Sequence, residues 1–186
     1  MKKSDLRESL LKKRLSLSSE ESHKAGAIIA SMLAKEDAFI KAKRISLYSP
    51  IRGEVPTGEI ENLAIKAGKI VYLPRIIKAG KKLVFAVSTG KLEKGPYGIP
   101  QPHSAADSVG IDALDMIIIP GIGFDKHGHR LGYGMGYYDR AFGNIREDAS
   151  VVGLAYSFQV VEKLPVEEHD LRVDFIVTEN GVLISG

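Results

Sequence analysis

Apolar positions along the chain fall into two alternating rhythms, one of helical period and one of short unbroken runs. Leu6, Leu10, Leu11 and Leu15 lie at helical spacing and predict an amphipathic helix over 4–15. Ser18 with Glu21 three residues later is a capping-box signature, opening a second helix through Ile28, Ile29, Met32 and Leu33. Ile45–Tyr48 predicts a strand that ends at Ser49-Pro50. Thr57 is placed to cap a helix over Ile60, Leu63 and 65–67, with Gly68 just past its end. Ile70–Leu73 predicts a strand stopped by Pro74, and Leu83–Ala86 another. Residues 91–110 carry three prolines and three glycines and predict a long irregular connection. Met116–Ile119, closed by Pro120, is the most continuous apolar run and suits a strand buried on both faces. A short helix near Tyr137–Phe142 and strands at Val151–Tyr156 and Phe175–Thr178 complete the pattern.

Strands that alternate with helices require crossover connections, which predicts an α/β fold with a largely parallel sheet flanked by helices. Ligands of such sheets gather beyond the carboxyl ends of the strands. Three predicted strands end in proline, at Pro50, Pro74 and Pro120, so the loops 49–54 and 121–136 are expected to share one rim.

At 186 residues the chain is expected to form a single domain over 1–186 with a core of its own. Its 44% hydrophobic and 26% charged content is that of a soluble globular protein. No cysteine is present, which excludes a disulfide framework and thiolate chemistry and fits a reducing, cytoplasmic location. Neither an apolar secretory segment nor a membrane-length run is found, so no membrane partner is expected. A net charge of +3 gives little support to nucleic-acid binding but favours small anions.

Chemistry concentrates in Gly121–Arg140, which packs six glycines, three tyrosines, three Lys/Arg and two aspartates into one stretch directly after the apolar run. Glycine so dense is expected where backbone must approach a ligand or adopt positive φ. Basic side chains among exposed amides point to an anion, above all a phosphate chain. Asp125 and Asp139 offer hard oxygens that suit magnesium. The stretch matches neither G-x-x-x-x-G-K-[ST] nor G-x-G-x-x-G, because Gly132, Gly134 and Gly136 alternate strictly. It is read as a phosphate loop of another design rather than a plain turn-rich surface loop.

Other residues carry two readings each. Lys3, Arg7 and Arg14 share one helix face, as a solvated surface or as a cationic strip reaching the phosphate site. Glu54 follows a strand, where its carboxylate holds a polar ligand or faces water. His127 and His129 alternate near Asp125, but no further nitrogen or sulfur ligand stands at zinc spacing. His169-Asp170 reads as a turn before the last strand or as a catalytic or metal-binding pair.

Taken together these residues resemble the 5-formyltetrahydrofolate cyclo-ligase family, also called 5,10-methenyltetrahydrofolate synthetase. The matching signatures are Lys3-Ser4-Asp5-Leu6-Arg7 with Lys13-Arg14, then Tyr48-Ser49-Pro50 with Glu54 and Thr57, Leu73-Pro74, Gly95 with Gly98-Ile99, the block 120–140, and Gln159, His169-Asp170 and Asp174. The resemblance implies a single-domain, three-layer, Rossmann-like sandwich. It also implies conversion of 5-formyltetrahydrofolate to 5,10-methenyltetrahydrofolate with MgATP as the driving co-substrate, in a cytoplasmic monomer without nucleic-acid or membrane partners. By the same resemblance, ATP would contact Lys3, Ser4, Asp5, Leu6, Arg7, Arg14, Arg130, Leu131, Gly132, Tyr133, Gly134, Met135, Gly136, Tyr137 and Tyr138. The folate would meet Ser49, Glu54, Tyr133, Gly134, Met135, Gly136 and Tyr137. Asp139 and Asp170 would hold Mg²⁺, and Arg130, Lys3 and Arg7 would meet the charge of the transferring phosphoryl group. Two departures from the family pattern stand out: Met135, where glycine or lysine is common, and Gln101, where glutamate is common. A ligand-sequestering regulator, an RNA-associated paralogue and a phosphosugar isomerase remain as rival classes.

Overall fold

A computed structural model describes residues 2–77, 82–134, 136–165 and 172–185. Helices α1 (Lys3–Leu15), α2 (Ser19–Leu33) and α3 (Asp37–Lys41) precede the first strand, β1 (Arg44–Ser46). Helix α4 (Gly58–Lys66) crosses to β2 (Ile70–Ile77), which turns back as β3 (Lys82–Val87). Short strands β4 (Leu92–Lys94), β5 (Pro100–Pro102) and β6 (Ser108–Val109) lead into β7 (Met116–Pro120). Beyond it lie the hairpin β8 (Gly123–Asp125) and β9 (Arg130–Leu131), helix α5 (Tyr137–Ala141), β10 (Ser150–Leu154), β11 (Val160–Val161), and the closing pair β12 (Phe175–Thr178) and β13 (Gly181–Ile184).

The main sheet runs β13-β12-β10-β7-β1-β2-β3-β6. Its five inner strands, β12, β10, β7, β1 and β2, pair in parallel, while β13, β3 and β6 pair antiparallel at the two margins. The apolar run 116–119 owes its continuity to its central place. Met116 and Ile118 enter the core under α2 and α4 with Ile29, Leu33 and Ile60. Ile117 and Ile119 enter the opposite core with Phe85, Phe124 and the partly buried Tyr138 and Phe142. All four isoleucine and methionine side chains are fully buried, each contributing about 2 kcal/mol of hydrophobic stabilisation. A third, smaller cluster joins Leu10 of α1 to Ile122, Leu131 and Leu164 beneath the glycine motif.

Several expectations change in detail. The Ser18 capping box forms, with Glu21 N donating to Ser18 Oγ and Ser18 N to Glu21 Oε2. Thr57 stands at the start of α4, yet its hydroxyl donates to Tyr48 O at 3.1 Å rather than capping. Pro74 does not end its strand: β2 continues to Ile77, and Pro74 pairs with Phe85. Tyr72 turns its carbonyl to Leu47 N. Two residues on, the nitrogen of Pro74 faces the same side, where β1 has already ended and no ladder donor is required. The connection 91–110 is not wholly irregular, since β4 and β5 form a small hairpin and β6 adds to the sheet edge. These strands are only two or three residues long, and β5 has proline at two of its three positions, so they carry no legible alternation.

The position of the site follows from the strand order. β1 sits between β2 and β7, and the chain leaves β1 toward one side and β7 toward the other. Adjacent parallel strands with connections that diverge open a crevice at their carboxyl ends. The segments 47–54 and 121–136 both start there.

Candidate active site

Beyond β1 the chain makes a tight turn from Ile51 to Glu54. Glu54 N donates to Ile51 O, and Ile51 N donates back to Glu54 Oε2 at 3.0 Å. Arg52 and Gly53, the central residues, have φ of +48° and +72°. The turn therefore uses one carboxylate oxygen of Glu54 to close itself. The other, Oε1, is buried without a hydrogen-bond partner, and so is Oγ of Ser49 at the start of the same loop. Glu54 is only 5% exposed. Burial raises its pKa to about 7, against the Ile51 amide, Arg14, Tyr133 and Arg130, all of which favour the ionised form. The Tyr133 hydroxyl acts on it from nearby without meeting Oε1 in hydrogen-bonding geometry. Buried polar atoms left unpaired in a native fold mark a place where something else completes them.

Arg14 lies beneath this turn, 1% exposed. Its Nε donates to Arg52 O at 3.0 Å, its Nη1 to Gly121 O at 2.9 Å, and its Nη2 to the Tyr133 hydroxyl. One guanidinium thus ties α1 to both crevice loops and to the glycine motif. Expected among the ATP contacts, Arg14 is placed by the structure under the site, with these donors given to protein acceptors. Gln159 braces the same floor, with Nε2 donating to Gly121 O and Ile122 O and Oε1 accepting from Tyr156 N.

The rest of α1 meets the glycine motif directly. Arg7 Nε donates to Gly132 O at 3.0 Å, and Leu6 and Tyr133 both pack against the third cluster. Lys3 is half-buried, while Ser4 and Asp5 are exposed and bonded to one another. Of the two readings of this helix face, the structure supports the strip that reaches the glycine loop. Leu131 is buried and anchors the loop's start. Gly134 and Gly136 take φ of +88° and +64°, and a side chain at Gly134 would meet open space, so its backbone is accessible to a ligand. Arg130 is half-buried, with Nη1 donating to Pro120 O and its guanidinium 5.3 Å from the Tyr138 ring centroid. The hydroxyl of Tyr138 is enclosed, which pushes its pKa up. Tyr137 meets Tyr97 edge to face across 6.3 Å, with Tyr97 itself at φ +61°.

Asp125 corrects the reading of both motif aspartates as metal ligands. Its carboxylate is fully buried and accepts from His127 N, His129 N, the His129 ring and Leu164 N. Burial would raise its pKa, but the bonds from Leu164 and His129 outweigh that and hold it below the usual carboxylate range. Asp125 is committed to shaping the β8–β9 turn. Asp125→Asn should lower stability by about 2–3 kcal/mol, because an amide nitrogen would face donors. Thermal unfolding would show a fall of roughly 5–10 °C. An unchanged melting temperature would contradict this structural role for Asp125.

The side chain of Asp139 and all of Met135, His169 and Asp170 lie outside the described residues. Among the described residues no three His, Asp or Glu side chains gather as a metal site. Gln101 is buried, accepting from Ile76 N and donating to Glu93, so its difference from the family pattern bears on the β2–β5 packing. Sequence reasoning passed over Arg52 and Tyr97, which the structure sets against the glycine motif through Tyr133 and Tyr137. Their one signal was a non-glycine residue beside glycine in a turn.

Comparison with known proteins decides the family. The sequence model of the 5-formyltetrahydrofolate cyclo-ligase family matches residues 1–179. This chain belongs to the 5-formyltetrahydrofolate cyclo-ligase family. As such it is an enzyme of this kind. The mouse 5-formyltetrahydrofolate cyclo-ligase is 32% identical over 184 residues, covering 92% of this chain and 91% of the relative. The cyclo-ligase of Escherichia coli K12 is 31% identical over 175 residues, covering 91% and 96%. The NMR structure of Aquifex aeolicus 5,10-methenyltetrahydrofolate synthetase superposes with a TM-score of 0.87 at 37% identity, covering 99% of this chain and 93% of that one. No described helix is long and apolar enough to cross a membrane.

Proposed function

We propose that the chain converts 5-formyltetrahydrofolate to 5,10-methenyltetrahydrofolate, with ATP cleaved to ADP and phosphate. The observation that carries this reading is the unpartnered Oε1 of Glu54, buried in the same crevice as the open glycine backbone at Gly134. A pterin ring offers N–H donors to a buried carboxylate, and a triphosphate suits accessible amides flanked by arginine.

The chemistry sets the demands on the residues. The formyl oxygen is a poor leaving group until it takes the γ-phosphoryl group from ATP, releasing ADP. N10 then bonds to the formyl carbon and gives up its proton, the carbon–oxygen bond breaks, and the oxygen and that proton depart as hydrogen phosphate. Little of this needs covalent help from protein, so catalysis is positioning and charge stabilisation. Glu54 and Ser49 orient the pterin. Tyr133 and Tyr137 offer flat walls, and the amides of the loop Gly132–Tyr138 hold phosphate oxygens. Arg130, Arg7 and Lys3 offset charge on the transferring group. Asp139 and Asp170 supply hard carboxylate oxygens, which fit magnesium. When bound, the ion neutralises phosphate charge. The same reading takes residues 1–186 as one Rossmann-like, three-layer domain, acting as a cytoplasmic monomer without nucleic-acid or membrane partners.

A near-ultraviolet absorbance assay with 5-formyltetrahydrofolate and MgATP tests the proposal. The methenyl chromophore should grow only when ATP is present. Tight binding of either ligand without turnover would favour a sequestering protein instead, and no binding at all would overturn the reading.

A further inference from the structure

Arg52 has no part in the roles above, yet it holds the most constrained exposed position beside the crevice. It is the first central residue of the Ile51–Glu54 turn, at φ +48°, followed by Gly53 at +72°. Turns with positive φ at both central residues favour Asn, Asp or Gly, because a β-carbon there crowds the backbone. Burial does not account for an arginine at this place, since the residue is exposed. Nor does an ion pair, since no carboxylate pairs with it among the described residues.

Both ends of the residue are nevertheless fixed. Its carbonyl accepts Arg14 Nε at 3.0 Å, and its guanidinium stands 5.6 Å from the centroid of the Tyr133 ring. A guanidinium lying over an aromatic face keeps its N–H edges available for a second, bidentate partner. Two residues further along the same turn is the buried, unpartnered Oε1 of Glu54. The turn therefore presents a cation at the rim and a lone acceptor inside, in fixed relation to each other.

We infer that Arg52 is a substrate-contacting residue whose guanidinium grips an oxyanion of the ligand that reaches Glu54. The name of that ligand rests on the function proposed above; the oxyanion chemistry does not. Two sources fit a bidentate grip: a carboxylate on the glutamyl tail of a folate, or a phosphoryl oxygen of the nucleotide.

Calorimetry on the full chain separates them, using 5-formyltetrahydrofolate, its triglutamate form and inorganic tripolyphosphate as probes. Arg52→Gly removes the cation and relieves the left-handed turn, so the fold is not put at risk. Arg52→Lys keeps the charge without the fork. The glycine variant should lose ten- to a hundredfold in affinity for one probe class, with the lysine variant between it and wild type. A loss that grows with glutamate number identifies the tail carboxylate; a loss confined to tripolyphosphate identifies the nucleotide. Affinities within twofold of wild type for all three probes would overturn the role of Arg52. Arg52-dependent binding without turnover of 5-formyltetrahydrofolate would overturn the proposed function and leave the inference standing. A wild-type protein that binds none of the probes overturns both.

Discussion

Replacing Arg130 with alanine should lower kcat/KM by about 10²–10³-fold, the loss expected when a preorganised group that meets transition-state charge is removed. The expectation follows from where the guanidinium sits. It is half-buried, anchored through Nη1 to Pro120 O and packed near the Tyr138 ring, so its position is set before any ligand arrives. Gly132 makes room for it: a β-carbon there would stand 3.0 Å from Arg130 Nη1. A charge fixed in a partly water-excluded crevice stabilises phosphoryl transfer far more than the same charge in solvent. Substrate affinity should change less than kcat, because the ground state places less charge at this point. Arg130→Lys should recover part of the rate, since it retains charge and loses the planar fork. Steady-state kinetics with each substrate varied would decide, and a near-wild-type rate for the alanine variant removes Arg130 from the role.

Glu54→Gln should separate affinity from stability, improving one and damaging the other. In the free protein burial lifts the carboxyl to about pKa 7, from an ordinary value of 4.5. The folded state thus binds a proton more tightly than the unfolded chain. Its contribution to stability is complete below about pH 4.5 and is lost as pH rises toward 7, amounting to about 3 kcal/mol across that window. Glutamine carries no charge and removes the slope, so the variant should unfold at a higher temperature than wild type at pH 8 and show little difference at pH 5. Folate affinity should move the opposite way. Wild-type affinity should rise with pH through 7 as the acceptor ionises, while the glutamine variant should bind about 10–100-fold more weakly with a flat profile. Thermal unfolding and folate titration at both pH values test the pair. A variant that loses stability at pH 8 would contradict the burial argument, and a wild-type affinity independent of pH would contradict the role as acceptor.

Much of the architecture was legible because its causes are local. The Ser18–Glu21 box is a bond between neighbours, and the run 116–119 needs burial on both faces whatever surrounds it. The glycine motif announced an accessible backbone, and Gly134 and Gly136 adopt the positive φ that such spacing implies. The misreadings came where distant parts decide. Pro74 is tolerated because β1 ends early, a fact of sheet geometry invisible in the proline itself. Asp125 looked like a metal ligand from composition alone, yet it serves amides up to 39 residues away. Apart from these misreadings, the depth that sets Arg14 off from Lys3 and Arg7 was simply not legible. Its partners Gly121 and Tyr133 are separated from it by 107 and 119 residues, and no periodicity reports so remote a contact.

That separation also sets an order of events in the cell. Helix α1, with its leucine stripe and Arg14, has polar partners in residues synthesised much later than itself. At ~5–20 residues per second a ribosome needs roughly 6–24 s to travel from Arg14 to Tyr133. Throughout that interval the leading helix lacks its glycine-loop partners, and the crevice lacks the clamp that holds its loops together. The crevice clamp is thus completed only when two segments made seconds apart meet, Arg14 from the earlier one and Gly121 and Tyr133 from the later.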